Sequence, residues 1–153
     1  MIGQVTLRCA QEADQSFLWA LYVDSHPEFA HLPPEVAAGL VELQLRARRI
    51  GYLAAFPAAT DQLIELAGVP VGRCWTHQSD TELRLLDLAV LSAHRRQGIA
   101  RTVLTALQAH AADAGVALRL SVWRDNPAAS RLYSRLGFVA HDQVNGYLSM
   151  VST

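Results

Sequence analysis

Lysine is absent from this 153-residue chain, and all 13 of its lysine-plus-arginine positions are arginine. Composition bias accounts for that as readily as function does. Cysteine is scarce: Cys9 and Cys74 are too few for a disulfide scaffold and cannot close a metal site alone. Both read as reduced, strand-borne, mostly buried thiols. No run of about eighteen apolar residues occurs, which excludes a membrane-spanning helix. The opening MIGQVTLRCA lacks the basic start, apolar stretch and cleavage site of a signal peptide, so a cytoplasmic location is expected. The 6 histidines show no H-E-x-x-H or other ligand spacing, so no metal is expected. No G-x-S-x-G is present. A net charge of −1 argues against nucleic-acid partners, which need several phosphate contacts. No repeat or low-complexity linker divides the chain, and residues 1–153 read as one domain.

What is present is 51% hydrophobic sequence with alternating periodicities. Val5, Leu7 and Cys9 alternate as a first strand, and Asp14 to Tyr22 reads as helical. A second helix follows Pro34, with Val36, Leu40, Leu43, Ala47 and Ile50 as its apolar stripe. Gln62–Leu66 and Val71–Thr76 form a hairpin around the four-residue connection Ala67-Gly68-Val69-Pro70. Glu82 to Leu91 is a longer strand whose alternation slips from Leu83 and Leu85 to Leu86, Leu88 and Val90. Burial on both faces and a β-bulge explain that slip equally well. Arg96 to Ala114 is a helix with Ile99, Val103, Leu107 and Ala114 on one face, stopped by Gly115. Leu118, Leu120 and Val122 make a strand, and Asn126-Pro127 opens a helix that ends at Gly137. Phe138–Ala140 and Tyr147–Val151 close the chain as strands. A strand–helix–strand unit over residues 82–123 makes two strands parallel by a right-handed crossover. The expected fold is α/β, with a mixed, mostly antiparallel central sheet, one parallel pair, and helices on both faces.

Two segments carry chemistry. In the first, Val90 to Arg101, a buried strand leads through Arg95 and Arg96 into a helix at Gly98. Free N–H groups at a helix start bind anions, and glycine lets a phosphate approach the backbone. The segment has neither a Walker A lysine nor G-x-G-x-x-G spacing. In the second, Asn126 to Phe138, Ala129, Leu132, Tyr133 and Leu136 share one helix face, which brings Tyr133 to the sheet.

Together these segments resemble the GCN5-related N-acetyltransferase (GNAT) superfamily. Arg95-Arg96-Gln97-Gly98-Ile99-Ala100 fits its Q/R-x-x-G-x-G/A hallmark. Asn126, Ala129, Leu132-Tyr133 and Leu136-Gly137-Phe138 are similar to its N-x-x-A-x-x-L-Y-x-x-x-G-F signature. Ser92 and Ala93 stand where Pro-Glu is common, and Arg96 where glycine is common.

The resemblance implies acetyl-CoA, with its pyrophosphate on the N–H groups of Arg96, Gln97, Gly98, Ile99, Ala100 and Arg101. It implies a pantetheine arm along the backbone of Leu88 and Val90, admitted by a bulge that splays the parallel strands. It gives Asn126 a hydrogen bond to that arm, Arg135 a place near the 3′-phosphate, and Tyr133 the role of thiolate-protonating acid. For the base, Asp87 stands out as the carboxylate inside the central strand; the glutamate frequent in the histone-modifying branch falls on Arg84. Residues 24–29, His141–Asn145, and Gln44, Arg46 and Tyr52 are candidates to border the acceptor pocket. The expected activity is acetyl transfer to a primary amine of a small molecule or amino-acid-like acceptor. A protein or peptide N-acetyltransferase and a non-catalytic acyl-CoA sensor are the alternatives. A homodimer is compatible with the resemblance.

Overall fold

The computed structural model describes residues 4–152. Seven strands form one sheet: β1 (Val5–Cys9), β2 (Thr60–Leu66), β3 (Val69–Gln78), β4 (Glu82–Val90), β5 (Ala117–Trp123), β6 (Val139–Val144) and β7 (Tyr147–Ser152). Their order is β1-β2-β3-β4-β5-β7-β6, and only β4 and β5 run parallel. The helices are α1 (Gln15–Ser25), α2 (Pro34–Ala55), α3 (Ile99–Ala114) and α4 (Pro127–Arg135). α3 and α4 cover one sheet face, where Ile99, Val103, Leu104 and Leu107 meet Cys74, Leu85, Leu118 and Leu120. α1 and α2 cover the other, where Tyr52 packs edge-on against Trp75 at 4.8 Å. The expected architecture is the one observed.

β4 resolves the slipped alternation. Thr76 pairs with Leu85 but Trp75 pairs with Asp87, so Leu86 is an extra residue and β4 is bulged. The bulge keeps Leu83, Leu85, Leu88 and Val90 all on the α3 side, in the main core. It sends Asp87 and Ala89 to the α1/α2 side. Tyr52 Oη donates to the displaced Leu86 carbonyl at 2.9 Å, so α2 holds the bulge in place.

Three local expectations are corrected. Most of the α2 stripe faces solvent: Val36, Leu43 and Ile50 are 48%, 62% and 61% exposed and Ala47 is exposed, while Leu40 packs against the cluster of Tyr22, Phe29 and the fully buried Val41. Twenty-two residues of helix carry more apolar side chains than one face can bury; the inward face bears Val41 and Leu45, which pack with Tyr22 and Phe29, and Arg48 and Tyr52, which reach Asp87 and Trp75 of the sheet. The hairpin turn is the two residues Ala67 and Gly68, with φ of 52° and 80°, and Pro70 lies inside β3 beside a register shift. Of the two thiols, only Cys74 is buried; Cys9, at the end of β1, is exposed.

β3 presses closely on the end of β4. A Cβ at Gly72 would lie 2.3 Å from the Ala89 carbonyl oxygen. Gly72→Ala is therefore expected to destabilise the protein by about 1–3 kcal/mol, as overpacking does, and to lower Tm in a thermal melt. An unchanged Tm would mean that the two strands part there without cost.

Candidate active site

The parallel ladder is short. β4 and β5 pair from Glu82–Ala117 to Leu85–Leu120 and then separate at the bulge. A cavity of about 380 Å³ opens in the gap, walled by Asp87 and Leu88 on one side and Ser121 and Val122 on the other, with Tyr133 at its α4 edge. A second cavity of about 430 Å³ lies against α1 and α2 and reaches Tyr22, Ser25, Arg73 and Arg95. His26, Arg48, Asp87, Leu88 and Asn126 line both, so the two spaces meet at those residues.

Asp87 sits at the junction. Its carboxylate accepts from Arg48 Nη1 at 3.3 Å, and its side chain keeps 19% exposure. Burial raises its pKa above the usual carboxylate range, although the Arg48 and Arg73 guanidiniums pull the other way. A carboxyl group with a raised pKa is a better proton acceptor than a surface aspartate. The expectation from sequence named this residue without showing which way it faced.

Tyr133 approaches from the opposite sheet face. α4 begins as the sequence indicated, with Asn126 as N-cap accepting from the Ala129 N–H at 3.3 Å and Pro127 in the first turn. Two turns on, the Tyr133 ring packs 5.6 Å from Phe138. Burial pushes its phenol up to about 12, and the nearby Asp87 and Cys74 add to the shift rather than relieving it.

The loop between β4 and α3 has the form of an anion cradle. Arg96 and Gly98 both take positive φ, 61° and 81°, and no side chain caps α3. The amides at this end are left for a ligand, with the positive end of the helix dipole behind them. Arg96, Gln97, Gly98 and Arg101 are exposed, Ala100 is partly covered, and Ile99 is locked into the core. Arg95 behaves differently: its Nε donates 2.9 Å to the Val90 carbonyl, and its Nη2 lies 3.6 Å from Asp24. Asp24 in turn accepts from Ser92 N and Oγ at 2.8 and 2.6 Å, which ties α1 to the end of β4. Arg135 is the exposed last residue of α4, far along the helix from Asn126.

Other candidates divide. Ser25 and His26 line the α1/α2 cavity, as expected of residues 24–29, but no residue of 141–145 lines either cavity. β6 is an exposed edge strand along its whole length. Arg84 pairs with Glu82 at 2.7 Å, Arg46 with Glu42 at 3.2 Å, and Gln44 accepts from the Tyr22 hydroxyl. Arg48, Tyr22 and Arg73 went unrecognised in the sequence. Arg73 is buried, makes bonds of 2.8 and 2.6 Å to Asp61, and lies 4.4 Å from the Trp75 ring. His26 stacks on Tyr22 at 4.0 Å and donates from Nδ1 to the Tyr22 carbonyl at 2.7 Å. Among the described residues there is no cluster of three metal-ligating side chains and no helix long and apolar enough to cross a membrane.

Solved structures share this architecture. PaiA N-acetyltransferase from Thermoplasma acidophilum, in complex with coenzyme A, superposes with a TM-score of 0.73 at 15% identity, covering 98% of this chain and 99% of its own. An acetyltransferase from Thermus thermophilus gives 0.73 at 21% identity over 99% of both chains. YncA from Salmonella typhimurium, with its cofactor acetyl-CoA, gives 0.62 at 19%, covering 99% of this chain and 94% of its own. No curated protein matches in sequence. At these identities the likeness speaks for the fold. The model of the Acetyltransferase (GNAT) family, however, matches residues 15–138, more than half of the sequence and all of the cleft's lining residues, and the chain belongs to that family.

Proposed function

We propose that the protein transfers the acetyl group of acetyl-CoA to a primary amine of a small-molecule or amino-acid-like acceptor by direct attack. The observation that carries this is the junction itself. A carboxylate with raised pKa and a buried phenol enter one gap from opposite faces of the sheet. Two of the matched structures hold coenzyme A or acetyl-CoA, which supports the donor.

The residues present fit that donor. The uncapped start of α3, with its two left-handed residues, suits a pyrophosphate. The unpaired edge of β4 at Leu88 and Val90 suits an extended arm bearing amides, and the Asn126 Nδ2 group is a further donor beside it. Arg135 is assigned to the 3′-phosphate on the strength of its place in the motif. Acetyl-CoA supplies an activated thioester acyl group and a thiol leaving group. Asp87, directly or through water, takes a proton from the acceptor ammonium, which is otherwise mostly charged at neutral pH. As the amine nitrogen bonds to the acyl carbon and the carbon–sulfur bond breaks, Tyr133 would give its proton to the leaving sulfur; the second proton shed by the nitrogen would return through water to the Tyr133 phenolate, and Asp87 would release its own to solvent. A backbone N–H on the open edge, that of Val90 or its neighbour, would hold the negative charge developing on the acyl oxygen.

Thiol release from acetyl-CoA with a panel of amines tests the activity directly; silence with every amine overturns it. The donor site is tested separately. Acetyl-CoA is expected to raise Tm, because it binds only the folded state. Gly98→Glu should abolish that rise by adding a side chain at φ +81° and a negative charge at the cradle. An undiminished rise would move the phosphate site away from residues 95–101.

A further inference from the structure

We infer that the acceptor is a zwitterion, an amine that carries a carboxylate on a neighbouring carbon, and that Arg48 receives the carboxylate. This deepens the acetyltransferase reading and rests on it. The cavity on the α1/α2 side presents three guanidiniums, those of Arg48, Arg73 and Arg95, against the single carboxylate of Asp87. Two of the three are committed elsewhere. Arg73 is held by two short bonds to Asp61 and by the Trp75 ring. Arg95 is bonded to the Val90 carbonyl and lies beside Asp24. Arg48 makes one hydrogen bond among the described residues, 3.3 Å to Asp87, with its side chain 32% exposed and its guanidinium 5.4 Å from the Tyr22 ring. A guanidinium offers five donors in a fork that matches a carboxylate, so most of its capacity is unused.

The Arg48–Asp87 pair then decides between acceptor classes. A simple amine brings one positive charge to Asp87 and leaves two cations competing for one carboxylate, in a place where burial already disfavours net charge. A polyamine brings more. A zwitterion adds one charge of each sign: its ammonium faces Asp87 and its carboxylate faces Arg48, so each member of the pair gains a partner and the local charge stays balanced. A second observation points to the same place. Ser25 Oγ is buried without a hydrogen-bond partner among the described residues, and Ser25 lines the same cavity. The hydroxyl is covered as it stands, and turning about χ1 toward the cavity would give it a carboxylate oxygen as the acceptor it lacks.

Calorimetry on the protein saturated with CoA separates this inference from the activity it rests on. The probes are L-phenylalanine against 2-phenylethylamine, L-leucine against 3-methylbutylamine, and L-histidine against histamine, with spermidine as the multiply charged amine. In at least one pair the amino acid is expected to bind about 10–100-fold tighter, the range of a charge-assisted hydrogen-bonded contact. Arg48→Gln should collapse that ratio, and Arg48→Lys should keep part of it, because the charge remains while the fork is lost. Equal or tighter binding of the decarboxylated partner in every pair, or of spermidine over all the amino acids, overturns the inference whether or not acetyl transfer occurs. An unchanged ratio in Arg48→Gln removes Arg48 from the role. Thiol release is followed alongside: a retained binding preference without turnover upholds the zwitterion site and overturns the acetyltransferase reading alone.

Discussion

Tyr133→Phe is expected to lower kcat roughly 10²-fold while leaving Tm unchanged, within the range typical of a lost general acid. The variant keeps the ring and its packing on Phe138 and deletes only the hydroxyl. Every cause acting on the phenol raises its pKa, and no hydrogen bond offsets them, so the hydroxyl contributes little to stability. A phenol near 12 is a weak acid in water, but the same core supplies a measure of what a thiol becomes there. Burial pushes the Cys74 thiol to about 12 as well, against an ordinary value near 9. Desolvation acts on a leaving thiolate in the same direction as on Cys74, so it narrows the gap between the sulfur and the Tyr133 phenol. The check is kcat and a melting curve on one variant. Full activity would remove Tyr133 from the chemistry and leave water as the proton source. A drop in Tm with normal kcat would make it a structural tyrosine.

Asp87→Asn is expected to lower kcat by roughly 10²–10⁴ at neutral pH, the usual worth of a positioned base. The sign of its effect on stability is the opposite of that for a paired surface acid. The folded-state pKa of Asp87 lies above its unfolded value because burial outweighs the attraction of Arg48 and Arg73. The folded protein therefore binds the proton more tightly than the unfolded chain, and stability falls as pH rises through the raised pKa. At neutral pH the ionised carboxylate weakens the fold, so the neutral asparagine should leave Tm equal or higher. In the wild type, kcat/KM should decline as pH falls through that raised pKa, and the variant should lack this acidic limb. Undiminished activity would remove Asp87 from the chemistry and leave water as the proton acceptor.

The sequence declared the ends of elements better than their faces. Gly115 and Asn126-Pro127 bound helices where they were expected to, because a left-handed cap and a side-chain cap are local chemistry. The slipped leucines of β4 announced an irregularity; periodicity left a bulge and double burial level, the family resemblance favoured the bulge, and the pairing of Thr76 with Leu85 and of Trp75 with Asp87 shows it. α2 misled because its most regular stripe is not the one the sheet covers. The same error concealed Arg48, which lies on the covered face with Val41, Leu45 and Tyr52, where a charge interrupts apolar spacing. Tyr133 was legible from a motif. That it lines one cavity with Asp87 was not, since the two residues lie on opposite faces of the sheet and meet only where two strands part.

A sheet normally keeps its unpaired edges at its margins, where charge, twist or brevity prevents another chain from adding on. This one carries an additional edge in its middle, because β4 beyond Leu85 has lost β5 as a neighbour. An unpaired row of amides and carbonyls is a template for any extended chain, including an aggregating one. Here it is recessed between the two halves of the sheet, and Arg95 already occupies the Val90 carbonyl. The feature that makes the cleft receptive to an amide-bearing arm is thus the one most in need of protection when the arm is absent. Donor binding does for this edge what strand pairing does elsewhere, so solubility on storage or heating should improve with CoA by more than the rise in Tm alone provides.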